Sequence, residues 1–162
     1  MQPAVTVLLS ADQPALQDAV THRRQLVEML TAEKNRRSKL QGKMQQDIDA
    51  YLEWLQERIQ QLDREIEQLG QSQAQWQSRI TLLKSVPGIG RVIATTLVAG
   101  LPELGAVNDK RISALVGVAS LNHDSGKHRG SRTIWEGRAS IRAALYMGTL
   151  DLLCKSQLSQ ID

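Results

Sequence analysis

Eleven consecutive positions, Asn122-His123-Asp124-Ser125-Gly126-Lys127-His128-Arg129-Gly130-Ser131-Arg132, hold two imidazoles, three cations, one carboxylate and two hydroxyls. A stretch this polar does not belong in a core. It reads either as a solvated connector or as a loop that grips phosphate. A serine that attacks a phosphodiester needs help in losing its proton, and cations to hold the pentavalent phosphorus. Arg129, Arg132, Arg138 and Arg142 suit the second task, because a guanidinium fork matches phosphate oxygens. His123 or His128 could act as the base. His123, Asp124 and Ser125 are adjacent, and catalytic triads assemble from distant segments, so this trio is not a hydrolase signature.

A second group is Val86-Pro87-Gly88-Ile89-Gly90, set between two helical segments and flanked by Lys84 and Arg91. It matches the hairpin of a helix-hairpin-helix element. Its glycines free the backbone to turn sharply. The amides of Gly88, Gly90 and the following helix start can then converge on a phosphate oxygen. Such a contact is independent of base sequence and sensitive to salt. The same residues also make an ordinary Pro-Gly connection with no ligand. A third group, Trp135-Glu136-Gly137-Arg138, opens the last helix, where Glu136 complements the helix dipole. Arg138 and Arg142 are four apart and share a face, either solvated or turned to DNA. No set of residues has metal-ligand spacing. The single cysteine, Cys154, excludes a disulfide or a cysteine-based zinc site within the chain, and its Leu152-Leu153 neighbours predict a buried, inert thiol.

The elements that must position these groups are helices. Asp12 and Pro14 mark a helix start, after which Leu16, Val20, Val27 and Leu30 share a face. From Thr21 to Lys43 the net charge is +5, and Gly42 marks a break. Ile48, Leu52, Leu55, Ile59, Leu62, Ile66 and Leu69 then recur at spacings of 4, 3, 4, 3, 4 and 3, a heptad seam. From Asp47 to Glu67 the net charge is −5, so antiparallel pairing with the basic helix matches charges along the flanks. The seam could equally serve a second chain. Gly70 is expected to end this helix, and a further helix carries Trp76, Ile80 and Leu83. Beyond the Pro-Gly turn come helices over Arg91–Ala99, Asp109–Val116 and Arg138–Lys155, the last amphipathic with Ile141, Leu145, Leu152 and Leu153.

Composition agrees. Aromatics are only 3% with no Phe, which argues against one large packed core. The first 84 residues balance their charges, so the whole +3 excess lies in the second half, beside the phosphate-type groups. No apolar run is long enough to span a membrane. The run Ala4-Val5-Thr6-Val7-Leu8-Leu9 lacks a basic leader and is no signal peptide, so a cytoplasmic protein is expected. That run reads as the end of a strand whose partners lie elsewhere.

The order of the pieces carries a resemblance. Arg23-Arg24-Gln25-Leu26-Val27-Glu28-Met29-Leu30-Thr31-Ala32-Glu33-Lys34-Asn35-Arg36 precedes the paired helices. Val86-Pro87-Gly88-Ile89-Gly90 and Leu115-Val116-Gly117-Val118-Ala119 follow. Then come Asp124-Ser125-Gly126-Lys127 with Gly130, Gly137-Arg138, and Ile141-Arg142-Ala143-Ala144-Leu145-Tyr146-Met147. From about Leu16 to Lys155 the chain resembles the DEDD-type insertion-sequence transposases, the bridge-RNA-guided recombinases. The resemblance implies a RuvC-like N-terminal domain with four acidic residues and Mg²⁺, then a coiled coil, then a domain with a serine that links covalently to DNA. Ser125 best matches that serine, with Ser131 and Ser120 as fallbacks. The metal-bearing domain has no counterpart here, and the residues before Leu16 resemble its last remnant. Glu136-Gly137-Arg138 stands where relatives have Gly-Gly-Arg.

The expectation is a mostly α protein. Residues 1–84 form an extended antiparallel coiled coil for oligomerisation. Residues 85–162 form a compact helical domain with a helix-hairpin-helix element and a polar loop or small β-hairpin. Its role would be a transposase piece, incomplete alone, that uses Ser125 in strand exchange and contacts nucleic acid through Gly88, Gly90, Arg91, Lys127, Arg129, Arg132, Arg138 and Arg142. Partners would be DNA, a structured guide RNA and further copies of itself, with no membrane. The chain itself would hold no cofactor, Mg²⁺ belonging to the N-terminal domain. The rivals are a non-enzymatic helix-hairpin-helix binding module that dimerises through its coiled coil, and a scaffold without nucleic-acid contact.

Overall fold

The computed structural model describes residues 12–118, 124–125, 128–129 and 137–158, with backbone alone at 124–125, 128–129 and 155–158. The apolar run Ala4–Leu9 and the supposed domain remnant lie outside these residues. Six helices account for most of what is described: α1 (Gln13–Arg37), α2 (Lys43–Ser72), α3 (Ala74–Lys84), α4 (Arg91–Gly100), α5 (Asp109–Val116) and α6 (Ala139–Leu158). Two short strands, β1 (Asp124–Ser125) and β2 (His128–Arg129), pair antiparallel between α5 and α6. The chain divides into two packed units at Gln77/Ser78, inside α3. Among the described residues no helix is long and apolar enough to cross a membrane.

In the first unit α2 lays its seam against α1. Ile48, Leu52, Leu55, Ile59, Leu62 and Ile66 are all buried, as the heptad spacing requires. Leu26 of α1 joins Leu55, Ile59 and Leu62 in one cluster, flanked by Val27, Leu30 and Tyr51. The seam that could have served a second chain is thus covered within this one. The helices run antiparallel, because Arg23 pairs with Asp63 while Arg37 pairs with Asp49. The Arg23 fork gives both Asp63 oxygens a hydrogen bond, at 2.7 and 3.3 Å. The expected match of a basic helix with an acidic one is therefore made by bidentate pairs, which fix register more than they add stability.

One boundary differs from expectation. Gly70 does not end α2, which runs to Ser72 before Gln73 turns extended. Gly70 is buried at the end of the packed face, and packing overrides the roughly 1 kcal/mol that glycine costs in a helix. Asp12 precedes α1 as expected but does not cap it. Its carboxylate instead accepts a hydrogen bond from the Gln73 side chain at 2.8 Å, tying the two ends of the hairpin together.

The second unit is built on α4, where Ala94, Thr95, Leu97, Val98 and Ala99 are all buried. The Thr95 hydroxyl is satisfied by donating back to Arg91 and Val92 carbonyls, at 3.0 and 3.1 Å. Leu97 and Leu101 meet Val116 of α5 and Ile141 of α6 in the core, with Ile89, Ile93, Leu104, Ile112 and Leu145 around them. Gly100 faces α6, where a Cβ would stand 2.5 Å from the Ile141 Cδ1 and require that side chain to shift. Asn108 caps α5 by accepting from the Arg111 amide. Gly117, at φ +76°, closes α5, and the Val118 and Gly117 amides bond back to Ser113 and Ala114.

The last helix departs from the sequence reading. Its apolar residues run round its whole circumference, so it is not amphipathic in the expected sense. Ile141 is buried, while Tyr146, Met147, Leu152 and Leu153 are exposed. Cys154, expected to be buried, is exposed as well. The core uses the face of Ile141, Leu145 and Gly148, and Cys154, six residues beyond Gly148, falls on another side of the helix.

Candidate functional site

The turn Ser85–Gly90 joins α3 to α4 and sits on α6. Gly88 has φ +80°, and a Cβ there would stand 2.5 Å from Leu152 Cγ and 2.8 Å from the Gly148 carbonyl. Gly148 in turn leaves no room for a Cβ, which would lie 2.9 Å from the Gly88 carbonyl. Two glycines therefore face each other, and the turn's backbone lies directly on the helix. Gly90 is different: it is open around its Cα and precedes α4 with no side-chain cap. Arg91, the first residue of α4, is exposed.

The polar stretch is bracketed in the chain by Gly117 and Gly137, whose backbones meet in one narrow stem. On the outgoing side is Gly117; on the returning side is Gly137, at φ +125°. The two backbones touch so closely that a Cβ on Gly137 would stand 2.5 Å from Gly117 Cα and 2.6 Å from Gly117 N. The Arg138 amide donates to the Leu115 carbonyl at 2.9 Å. Arg142, one turn into α6, aims Nη1 at the Val116 and Gly117 carbonyls, 3.4 Å from each. Within the loop, β1 and β2 pair Asp124 with Arg129 and Ser125 with His128. Only residues 126 and 127 connect them, the two-residue spacing of a tight hairpin with glycine first.

Arg138 has a set of partners that local sequence did not announce. Its fork meets both carboxylate oxygens of Glu103 at 2.7 Å, and Nη1 also donates to the Gly100 carbonyl at 2.5 Å. The Arg138 hydrogen bonds hold the Glu103 carboxyl below its ordinary value, against the partial burial that would raise it. Glu103 correspondingly raises the Arg138 value. A carboxylate depressed in the folded state contributes stability that is present above its unfolded pKa and lost as pH falls through the folded one. The stability difference between wild type and Glu103→Gln, read from urea midpoints, is therefore expected to be full at neutrality and to shrink as the pH falls through the ordinary glutamate range and on below it. A difference that persisted unchanged at the acid end would show that the charge pair is not its source.

Of the residues singled out in the sequence, the structure brings Gly88 onto α6, and Arg138 and Arg142 onto the end of α5. Ser125 and Arg129 lie in the paired strands. Lys127, Arg132, His123, Glu136 and the fallback serines Ser120 and Ser131 lie outside the described residues. Glu103 and Gly148 were not singled out, and Gly117 entered only as part of the Leu115–Ala119 run. Glu103 did carry one signal, being the only carboxylate between Glu67 and Asp109. Among the described residues no group of three or more His, Cys, Asp or Glu could hold a metal ion.

Residues 80–161 match the family model described as Transposase IS116/IS110/IS902 family. The match spans half of the chain and takes in the Pro-Gly turn, the stem, the polar loop and α6. The chain belongs to the IS116/IS110/IS902 transposase family. It is also similar to the pilin gene-inverting protein of Moraxella bovis, 28% identical over 129 residues, which cover 78% of this chain and 39% of that protein. The pilin gene-inverting protein of Moraxella lacunata matches with the same identity and coverage. The chain thus spans about two fifths of the length of these curated relatives.

Proposed function

We propose that this chain is the C-terminal portion of a transposase that recombines DNA, and that Ser125 supplies the nucleophile. The observation that carries the reading is the family match over residues 80–161, a span that includes the turn, the hairpin and α6. The gene-inverting relatives support recombination as the class of reaction, since their name describes rearrangement of DNA. In the step proposed, the Ser125 hydroxyl oxygen bonds to a backbone phosphorus and the bond from phosphorus to one sugar oxygen breaks. The serine proton passes to a base, for which the register partner His128 is the candidate, and is returned to the departing sugar oxygen, which leaves as a hydroxyl. Rejoining reverses the step on another strand. Arg91, Lys127, Arg129, Arg132 and Arg142 would hold phosphate, and the turn at Gly88–Gly90, acting as a helix-hairpin-helix element, would contribute backbone amides to it.

The antiparallel hairpin of α1 and α2 would be the coiled-coil arm through which copies assemble, its basic helix α1 also meeting a structured guide RNA. The Mg²⁺ that the resemblance assigns to a RuvC-like domain finds no ligand set among the described residues, and the chemistry proposed for this chain does not involve it.

The test is fluorescence anisotropy of this chain with labelled duplex DNA across a salt series, beside an Arg129→Ala/Arg132→Ala variant. Wild-type affinity is expected to fall linearly with salt on logarithmic axes. The variant should lose about 0.9 of slope for each phosphate contact removed. Absence of binding at low salt would defeat the reading for this chain. Binding without a covalent adduct in the full-length relative, or an adduct that survives Ser125→Ala there, would remove the serine and leave a binding module.

A further inference from the structure

Arg138 has the chemistry of a phosphate ligand, yet its surroundings give it another task. Both of its terminal nitrogens are engaged, one with Glu103 and the Gly100 carbonyl, the other with Glu103. Glu103 belongs to the α4–α5 connection and Gly100 ends α4. Arg138 itself follows Gly137, the returning side of the loop stem, and its amide is held by Leu115 near the outgoing side. One side chain thus fastens the stem of the 119–136 loop to the end of the most deeply buried helix of the unit. The bidentate geometry fixes orientation as well as distance. Arg142, reaching the Val116 and Gly117 carbonyls from the next turn of α6, secures the same junction.

We infer that Arg138 and Glu103 form a latch that positions the loop bearing Ser125, and that Arg138 is a positioning residue that does not grip phosphate. The inference rests on the reading of that loop as the reactive segment, but the latch itself is a property of the stem. The two roles give opposite signs in one experiment. If Arg138 gripped phosphate, Glu103 would compete with the DNA for it, and Glu103→Gln would release the guanidinium and strengthen binding. If the pair is a latch, Glu103→Gln and Arg138→Gln both loosen the same stem and both weaken binding.

The experiment follows amide hydrogen exchange in wild type, Glu103→Gln, Arg138→Gln and Arg138→Lys, with duplex DNA anisotropy across salt on the same samples. The latch predicts that exchange rises about tenfold at the stem amides of Gly117, Val118 and Arg138, while the α1–α2 hairpin stays at its wild-type rates. It predicts weaker DNA binding in both glutamine variants with the wild-type salt slope, since no phosphate contact is lost. Arg138→Lys keeps the charge but not the fork, and should also raise exchange. Three results would overturn the inference: tighter binding in Glu103→Gln, a slope reduced by about one contact in Arg138→Gln, or unchanged exchange at the Gly117, Val118 and Arg138 amides in all three variants. Should wild type bind no DNA at all, the functional reading falls, and the exchange measurement still decides whether the latch exists. Should Arg138→Gln fail to fold, the lysine and Glu103 variants decide it.

Discussion

Gly137→Ala is expected to destabilise the second unit by about 2–6 kcal/mol, combining backbone strain with overpacking. Gly137 has φ +125°, outside the range that an L side chain adopts comfortably. Relief by rotamer adjustment is closed off, because a methyl there would stand 2.5 Å from Gly117 Cα, 2.6 Å from Gly117 N and 2.8 Å from the Val116 carbonyl carbon. All three neighbours are backbone. Gly117 cannot yield readily, since it carries the left-handed turn whose amide bonds close α5. The substitution must therefore open the stem, and the Arg138–Leu115 hydrogen bond with it. Urea unfolding followed by circular dichroism measures the effect, with Gly105→Ala as a comparison. Gly105 also has a positive φ, +83°, but nothing lies within 4 Å of its Cβ position, so it reports strain without the clash. A Gly137→Ala protein no less stable than the Gly105→Ala protein would show that the two sides of the stem are not packed as described.

That contrast also marks what could be read from sequence. Periodicity announces α2 because seven seam residues repeat at a spacing that only one helical face accommodates; six of them are buried and Leu69, at the end, is half-buried. It announces α1 less well: Leu26, buried in the cluster, stands outside the face drawn through Leu16, Val20, Val27 and Leu30. The basic character of α1 and the acidic character of α2 made them suited to antiparallel pairing, because charge sums along a helix survive small errors of register, but left a second chain equally open as the partner. The motifs around the turn and stem were visible as glycines and arginines, but their partners were not. Glu103 lies 35 residues from Arg138, and no local rule connects them; only the isolation of that carboxylate in an apolar stretch hinted at a specific role. The exposure of Cys154 and Leu153 was misread for a related reason. An apolar composition says that a helix can be buried, and only the core that forms beside it decides which of its faces is.

Leu55→Ala is expected to cost the first unit about 2–5 kcal/mol, the range for truncating a fully buried leucine. Leu55 is completely buried at the middle of the seam and belongs to the cluster with Leu26, Ile59 and Leu62. Two long helices packed face to face have few ways of closing a void, because the ion pairs Arg23–Asp63 and Arg37–Asp49 hold the register on either side of it. The pairs do not compensate: Arg37–Asp49 is well solvated and salt-screened, and the more sheltered Arg23–Asp63 sets against its attraction the cost of drying its charges, so they direct pairing without supplying the cohesion that Leu55 provides. The unit that pairs these helices ends at Gln77, so the loss should appear as earlier melting of the hairpin in amide exchange, with α4 and α5 retaining their protection. Gln60→Ala, on the exposed side of α2, serves as the control and should stay within about 0.5 kcal/mol of wild type. If Leu55→Ala were equally silent, the seam would not be the source of the hairpin's stability. If it unfolded α4 and α5 together with the hairpin, the division of the chain at Gln77 would not describe two cooperative units, and an assembly arm that folds apart from the transposase domain could not be sustained.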